Sequence, residues 1–159
     1  MIYPANQDRA RRETRTHGYV SFRLLDQWLG VPVVLAQEVL STQRISPVPL
    51  APPEVAGFLN LRGQIVTAID LRVRMALPTR EPGEEAMSIV VRDGDEMFSL
   101  QVDEVGDVVE VEESRVEAVP STLDPRWVAC CEGVVRLEQG LLLVLDVRAL
   151  LASEVEVEG

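Results

Sequence analysis

Apolar and polar residues alternate along most of the chain, with a period of two that is typical of β-strands. The alternation predicts one hairpin over residues 19–25 and 28–34, with a turn at 25–27. A clearer hairpin is predicted in AMSIVVRDGDEMFSLQVDEV (86–105), where Asp93-Gly94-Asp95 suits a tight turn that needs positive φ. Between the hairpins, four prolines exclude regular structure over residues 47–53.

The rest of the chain predicts further short strands and a few single-turn helices. PPEVAGF predicts one helical turn that ends at Gly57, and strands follow on either side of Arg62-Gly63. GDVVEVEESRVEAVP (106–120) is strand-like, and EGVVRLEQGLLLVLDV (132–147) predicts a second strand pair. Short helices are expected in STLDPRWVACC, where Ser121 or Asp124 would begin the helix, and in RALLASE near the C-terminus.

The two halves of the chain resemble each other. A shift of 76 residues places GFLNLRGQIVTAIDLR on GVVRLEQGLLLVLDVR without gaps. The identical positions are Gly57/Gly133, Leu61/Leu137, Asp70/Asp146 and Arg72/Arg148. The repeat predicts an all-β fold of two pseudo-symmetric small barrels, each of about five strands, packed against each other because either barrel alone would be marginal.

The repeat also separates features of the fold from candidates for function. Because an aspartate and an arginine recur at 70/72 and 146/148, we interpret both pairs as elements that build the barrels. Arg62-Gly63 does not recur, since Glu138-Gln139 stands in its place. An asymmetric feature of this kind is the better candidate for function.

Composition narrows the classes of function. The chain of 159 residues is 47% apolar but only 4% aromatic, so its core is expected to be aliphatic. The net charge of −11 argues against binding to a nucleic-acid backbone, and all 15 basic residues are arginines, which excludes a lysine mechanism. The two cysteines, Cys130 and Cys131, are adjacent, and neighbouring cysteines rarely bridge, which favours a reduced cytoplasmic setting. The N-terminus lacks the apolar core of a signal peptide, and no run of about 18 apolar residues could span a membrane.

No constellation of residues predicts catalysis, a cofactor or a metal site. His17 lies at the edge of the predicted tail, and Cys130-Cys131 is expected to be buried rather than nucleophilic. Asp93, Asp95 and Glu96 lack the spacing of a calcium loop. Trp127, next to Arg126, is either core packing or part of an interface. The sequence therefore favours a protein that works by binding.

GFLNLRGQIVTAIDLR resembles the signature of the CheW family of chemotaxis coupling proteins, roughly G-x-x-N-[LI]-R-G-x-[VI]-x-P-[VI]-[VI]-D-L. The resemblance covers about residues 18–151. The chain departs from it at Thr67-Ala68, which is expected to loosen one strand, and at Ala36, where the family usually has valine. The resemblance implies two five-stranded SH3-like barrels on a shared aliphatic core, with short helices at the connections and the C-terminus.

The resemblance also implies a function and the residues that perform it. Proteins of the family have no enzymatic activity; they couple the cytoplasmic tip of a chemoreceptor to the regulatory domain of a CheA-type histidine kinase in arrays. The family's receptor-binding groove falls here on Val33, Ala36, Glu38, Arg62 and Gly63. Glu38 would either orient Arg62 or meet a receptor cation, and Gly63 would allow positive φ or a close backbone approach.

A kinase-facing edge falls on Arg44, Ile45 and Ser46. We expect a polar tail over residues 1–17, a CheW-like domain of two intertwined barrels over 18–151, and an acidic tail over 152–159. The expected protein is a cytoplasmic scaffold, recruited to membrane-associated receptor arrays. The alternatives are a coupling protein of a parallel motility or gene-regulatory pathway, a free-standing small-barrel module that binds peptides, and an enzyme with an unrecognised site.

Overall fold

The computed structural model describes residues 15–41 and 44–158, with side chains as far as residue 152. Within these residues, alternating apolar positions form strands and three segments form helices. The strands are β1 (Thr16–Leu24), β2 (Gln27–Pro32), β3 (Ala36–Leu40), β4 (Val55–Leu61), β5 (Gln64–Asp70), β6 (Met87–Asp93), β7 (Glu96–Val102), β8 (Glu104–Glu112), β9 (Val116–Glu117), β10 (Cys131–Leu137) and β11 (Gly140–Leu145). The helices are α1 (Leu71–Arg74), α2 (Pro125–Cys130) and α3 (Val147–Glu158), with a 3₁₀ turn at Glu113–Arg115.

The strands form two sheets, each curled as an SH3-like barrel, which confirms the predicted fold class. One sheet has the order β3-β6-β7-β5-β4. The other has the order β8-β1-β2-β11-β10-β9, so the two-residue β9 adds a sixth strand to the five expected. Neighbouring strands are antiparallel except at β2–β11 and β5–β7. The six-stranded sheet therefore joins the first two strands of the chain to the last four.

The largest hydrophobic cluster, which is mainly aliphatic, fills the space between the sheets. It takes residues from the inner faces of both sheets and from α3, and most of its large members are fully buried. Among them are Phe22, Leu29, Leu71, Ile89, Leu100, Leu145, Leu150 and Leu151. Burial of one such side chain stabilises the fold by about 1.5–3 kcal/mol, and neither sheet could bury this surface without the other.

The duplication is reproduced residue by residue in the strand registers. Hairpin β1–β2 in one half is equivalent to hairpin β6–β7 in the other half. The second strand of each, β2 or β7, pairs in parallel with the second strand of a repeated hairpin: β2 with β11, and β7 with β5. In one half Leu29 lies opposite Leu143, and in the other Phe98 lies opposite Thr67. Below, two residues at equivalent positions of the two halves are called counterparts.

The repeated glycine has a steric cause in both halves. A β-bulge falls directly before Gly57 in β4 and directly before Gly133 in β10. A Cβ atom on Gly57 would lie 2.2 Å from the carbonyl oxygen of Ser46, and one on Gly133 would lie 2.8 Å from a methyl group of Val116. Only glycine lets the neighbouring segment approach so closely.

The repeated aspartates also have one shared role. Asp70 accepts hydrogen bonds from the backbone N–H groups of Arg72 and Val73 at the start of α1, and Asp146 accepts one from Ala149 at the start of α3. The interpretation of the aspartates as structural therefore holds. The arginines differ: Arg72 is buried, whereas the side chain of Arg148 is 86% exposed, so the interpretation of Arg148 as a barrel-building residue is wrong.

Several local predictions differ from the structure. The helical turn predicted before Gly57 is wrong, because Val55 already begins β4. Thr67-Ala68 does not loosen its strand, since β5 is paired continuously on both sides and Ala68 is fully buried. Thr16 and His17, assigned to the tail, begin β1, while residues 1–14 lie outside the described part. The backbone of α3 continues to Glu158, through most of the segment assigned to an acidic tail.

Candidate functional site

The β4–β5 turn holds Arg62 in an unfavourable backbone conformation. Arg62 has φ 51° and Gly63 has φ 85°, as in two-residue hairpin turns whose central residues both have positive φ. The side-chain oxygen of Asn60 accepts a hydrogen bond of 2.9 Å from the N–H of Gly63 and fixes the turn. A Cβ on Gly63 would meet nothing within 4 Å, so Gly63 is needed for its φ and not for a close approach. Strain at a non-glycine residue of this kind is common at functional sites.

Glu38 on β3 orients Arg62 across the surface. Nη1 of Arg62 donates to Oε2 of Glu38 at 2.9 Å, and Nη2 donates to Oε1, so the two planar groups meet through two parallel hydrogen bonds. These bonds lower the pKa of Glu38 and raise the pKa of Arg62, so both groups stay charged. This contact is the one expected if Glu38 orients Arg62, the first of the two roles considered, and the part that Glu38 plays in binding stays a prediction. The side chain of Arg62 is still 71% exposed, so its remaining N–H groups face solvent.

A surface depression of about 460 Å³ surrounds this ion pair. Its walls come from β3, β6, β7 and the β4–β5 turn, and they carry more polar than apolar surface. The lining residues beside the ion pair are Gln37, Leu61, Gln64, Val90, Arg92 and Met97. Such a lining suits a partner that combines hydrogen-bonding groups with a small apolar contact.

The other two predicted groove residues lie apart from this pair. Val33, in the turn after β2, donates its N–H to the carbonyl of Gly18 and lines a separate depression together with Val34 and Val108. Ala36 begins β3 and packs against the main core from its half-buried position. The structure thus brings Glu38, Arg62 and Gly63 together, and Val33 and Ala36 lead up to them along the same stretch of chain.

The predicted kinase-facing residues lie along the outer edge of β4. Ser46 forms two backbone hydrogen bonds with Phe58, of 2.8 and 2.9 Å, and Ile45 packs against the small cluster of Leu59, Val66 and Ala68. Arg44 is exposed. Beside this edge lie two exposed apolar side chains that sequence reasoning missed, Phe58 and Ile65. The alternation of β4 and β5 around the buried Leu59 and Val66 is the signal that could have found them.

The structure gives the remaining candidates structural roles. Trp127 packs against the main core, and Arg126 binds Asp124, the first residue before α2, which lowers the pKa of Asp124 to about 2. Cys130 and Cys131 are buried free thiols, and burial raises the pKa of Cys131 to about 12, so it does not form a nucleophilic thiolate.

The described residues contain no group of three or more metal-ligating side chains. In the same part of the chain, no helix has the length and apolar character that a membrane crossing requires.

Comparisons with known proteins show the family and the fold of the chain. The family described as "CheW-like domain" matches residues 18–155. The chain is similar to the chemotaxis protein CheW of Bacillus subtilis, at 32% identity over 125 residues, covering 79% of this chain and 80% of that protein. It is similar to CheW of Treponema pallidum at 29% identity over 139 residues, covering 85% and 82%. The crystal structure of the scaffolding protein TtCheW from Thermoanaerobacter tengcongensis superposes with a TM-score of 0.75 at 26% identity, covering 83% of this chain and 90% of that one.

Proposed function

The chain belongs to the CheW-like family and is an adaptor of chemosensory signal transduction, and we propose that it couples a chemoreceptor to a CheA-type histidine kinase by binding each at a separate surface. The observation that carries this proposal is the Arg62–Glu38 ion pair, held on a strained turn within the family's NLRG motif. The protein performs no catalysis of its own in this proposal. It acts from the cytoplasm and is recruited to receptor arrays at the membrane.

The receptor side of the proposal uses Val33, Ala36, Glu38, Arg62 and Gly63. A receptor tip is a helical hairpin whose surface offers apolar side chains, carboxylates and backbone carbonyls. Glu38 engages only part of the Arg62 guanidinium, so the remaining donors are available to an acceptor on the receptor. The exposed Val33 provides a separate apolar contact, in the depression that it shares with Val34 and Val108. Pre-orientation by Glu38 lowers the entropy that Arg62 loses on binding.

The kinase side of the proposal uses Arg44, Ile45 and Ser46 together with Phe58 and Ile65. Phe58 and the 69% exposed Ile65 form an apolar patch beside the edge of β4, and the exposed Arg44 lies two residues before Ser46, which pairs with Phe58. Apolar residues at the centre of a patch with charge around it are typical of protein interfaces. Two such interfaces on one molecule give strong assembly through effective concentration, even when each is weak.

The experiment that tests the proposal measures binding of the full chain to two fluorescent partners from the same genome, a receptor-tip fragment and the regulatory domain of the kinase. We expect binding to both, with Arg62→Ala weakening the receptor fragment alone. Arg136→Ala is the matched control, because Arg136 is also exposed and also pairs with a glutamate, Glu117, on another strand.

The outcomes separate the alternatives. Binding to neither partner would overturn the coupling role and leave a small-barrel peptide-binding module. Binding to the kinase domain alone would indicate a protein that occupies array positions without a receptor. Binding only to partners taken from a second chemosensory gene cluster would assign the chain to a parallel pathway.

A further inference from the structure

Asp103, at the end of β7, organises a buried cluster of charges in one half of the duplication. Arg72 donates to the Asp103 carboxylate from Nε at 2.9 Å and from Nη2 at 2.8 Å, and Arg80 donates to it from Nη2 at 2.9 Å. The same carboxylate accepts the backbone N–H of Leu25 at 2.7 Å, in the turn of the β1–β2 hairpin. The carboxylate of Asp103 thus joins an arginine that follows a strand, Arg72, to a hairpin turn at Leu25.

The other half has the arginine and the turn but not the carboxylate. The registers make Arg148 the counterpart of Arg72, Gly94 the counterpart of Leu25, and Val34 the counterpart of Asp103. The side chain of Val34 has no acceptor atom and is exposed. Nε of Arg148 lies 3.9 Å from Oδ1 of Asp93, which is beyond hydrogen-bond distance.

Arg92 is a second arginine whose counterpart has a carboxylate partner that Arg92 itself does not have. Arg23 donates from Nε to Glu104 at 2.9 Å, and the counterpart of this pair is Arg92 with Leu35. The hydrogen bond recorded for the Arg92 side chain is a long one to the sulfur of Met97. Val34-Leu35 therefore stands where the other half has Asp103-Glu104, and both facing arginines keep their donors available.

A hollow of about 180 Å³ lies where these residues meet, and we call it the Arg148 hollow. Its apolar floor comes from Pro32, Leu35, Leu145 and Val147, and its rim carries Arg92, Arg148 and the turn residue Gly94. Three carboxyl groups also line it. Asp146 accepts the backbone N–H of Ala149 at the start of α3, Asp93 lies near Arg148 without a hydrogen bond, and burial together with the charge of Asp146 raises the pKa of Glu132.

We propose that the Arg148 hollow binds an acidic segment of a protein partner, whose two neighbouring carboxylates pair with Arg148 and Arg92. The partner would provide two carboxylates for these arginines, as Asp103 and Glu104 provide two carboxylates for Arg72 and Arg23 in the other half of this chain. Arginine forks in a concave, partly apolar setting bind carboxylates well, and the apolar floor takes the adjoining methylene groups.

The position of the hollow indicates which partner carries that segment, and this step rests on the proposed function. Leu35 lies between the proposed receptor-binding residues Val33 and Ala36, and Arg92 also lines the depression around Arg62. The hollow therefore continues the proposed receptor surface on the side away from the apolar edge of β4. We assign the acidic segment to the receptor tip.

The first test compares Arg148→Gln, Arg92→Gln and the control Arg136→Gln in the full chain, with the receptor-tip fragment and the kinase domain as partners. We expect each of the first two variants to weaken receptor binding by about fivefold at low salt, with a smaller effect at high salt. Kinase binding should not change. If Arg148→Gln and Arg92→Gln bound the receptor fragment as tightly as Arg136→Gln does, the assignment of the acidic segment to the receptor would be wrong. If these two variants lost kinase binding instead, the acidic segment would belong to the kinase.

The second test does not depend on the proposed function. The probe is N-acetyl-Asp-Glu-amide, titrated into the full chain labelled with ¹⁵N. We expect the amide resonance of Gly94 to shift with a saturating millimolar dependence, to stay unshifted in Arg148→Gln, and to shift normally in Arg136→Gln. An unshifted Gly94 in the wild-type chain, or a shift that persists in Arg148→Gln, would overturn the carboxylate site even if both partners bind.

Discussion

Arg72 and Asp103 form a buried ion pair between α1 and the end of β7, with side chains only 9% and 6% exposed. Because Asp103 also accepts the N–H of Leu25, this pair joins the five-stranded sheet to the first hairpin of the six-stranded sheet. Both groups are almost fully desolvated, so each depends on the other for its charge to be tolerated.

Asp103→Asn should destabilise the fold strongly. The change removes the negative charge that Arg72 and Arg80 share, and an unpaired buried charge costs about 3–5 kcal/mol. The free energy of unfolding, measured by urea titration, should fall by about 3 kcal/mol or more. The control is Glu104→Gln, which breaks the exposed pair with Arg23 and should cost less than about 1 kcal/mol. Equal losses in the two variants would contradict this.

Acid should weaken the wild-type fold through the same carboxylate. Burial by itself would raise the pKa of Asp103, but hydrogen bonds from Arg72 and Leu25 and the charge of Arg80 outweigh burial and place the pKa below the ordinary 3.8. A group whose folded pKa is lowered stabilises the fold above its unfolded pKa and loses that contribution as the pH falls through its folded pKa. Unfolding free energies from pH 6 to pH 2 should therefore drop more steeply in the wild type below about pH 4 than in Asp103→Asn. Parallel curves would exclude this role.

Gly57→Ala should be far more harmful than Gly63→Ala. The new methyl group at 57 would meet the carbonyl oxygen of Ser46 at 2.2 Å, at a backbone φ of 149°. At 63 the methyl group meets open space, so only the positive φ is penalised, by about 1–2 kcal/mol. Thermal unfolding of both variants tests the difference. If Gly57→Ala were the milder change, the close approach of residues 44–46 to β4 would be wrong.

Glu38→Gln should weaken receptor binding less than Arg62→Ala does. The amide keeps one hydrogen bond to the guanidinium but loses the charge that holds Arg62 in place, so we expect a loss of about threefold. Receptor-fragment titrations of the two single variants and the double variant give the coupling between the residues. If the effects of the two changes add, Glu38 contacts the receptor on its own account instead of orienting Arg62.

Phe58→Ser should separate the two partner surfaces. Loss of an exposed aromatic side chain from the centre of the apolar patch should weaken kinase binding by about tenfold, while receptor binding stays unchanged. Val128→Ser is the matched control, since Val128 is exposed to nearly the same extent as Phe58, 37% against 40%, but lies on α2, outside both proposed surfaces. Weaker binding of the receptor fragment by Phe58→Ser would place the kinase contact elsewhere.

Local chemistry explains which parts of this structure could be predicted from the sequence. The β6–β7 hairpin follows from alternation around Asp93-Gly94-Asp95, and α2 follows from Asp124 before Pro125. Each signal acts within a few residues, so no knowledge of the rest of the fold is needed. The repeat also marked Gly57 as a special position. The reason that glycine is required there is the close approach of Ser46, which belongs to a separate segment of the chain. The helical turn was therefore predicted wrongly.

The two repeated arginines show more clearly what local sequence cannot predict. Arg72 and Arg148 each follow an aspartate by two residues within the repeat, and this shared pattern led to one predicted role for both. Their surroundings differ because Asp103 faces one arginine and Val34 takes the equivalent position in the other half. Val34 and Asp103 follow β2 and β7, far from the two arginines along the chain, so the difference can be recognised only when the parallel pairs β2–β11 and β5–β7 are known.

The parallel pairing of β2 with β11 has a consequence for synthesis on the ribosome. The first hairpin leaves the exit tunnel early, but the strand that covers its inner edge is among the last to emerge. The five strands of the other sheet, β3 to β7, are consecutive in sequence and can pair before β11 is made. Until then, the edge of β2 that β11 covers remains unpaired. Such an edge can pair with another nascent chain, so translational pauses before residue 140 would favour aggregation.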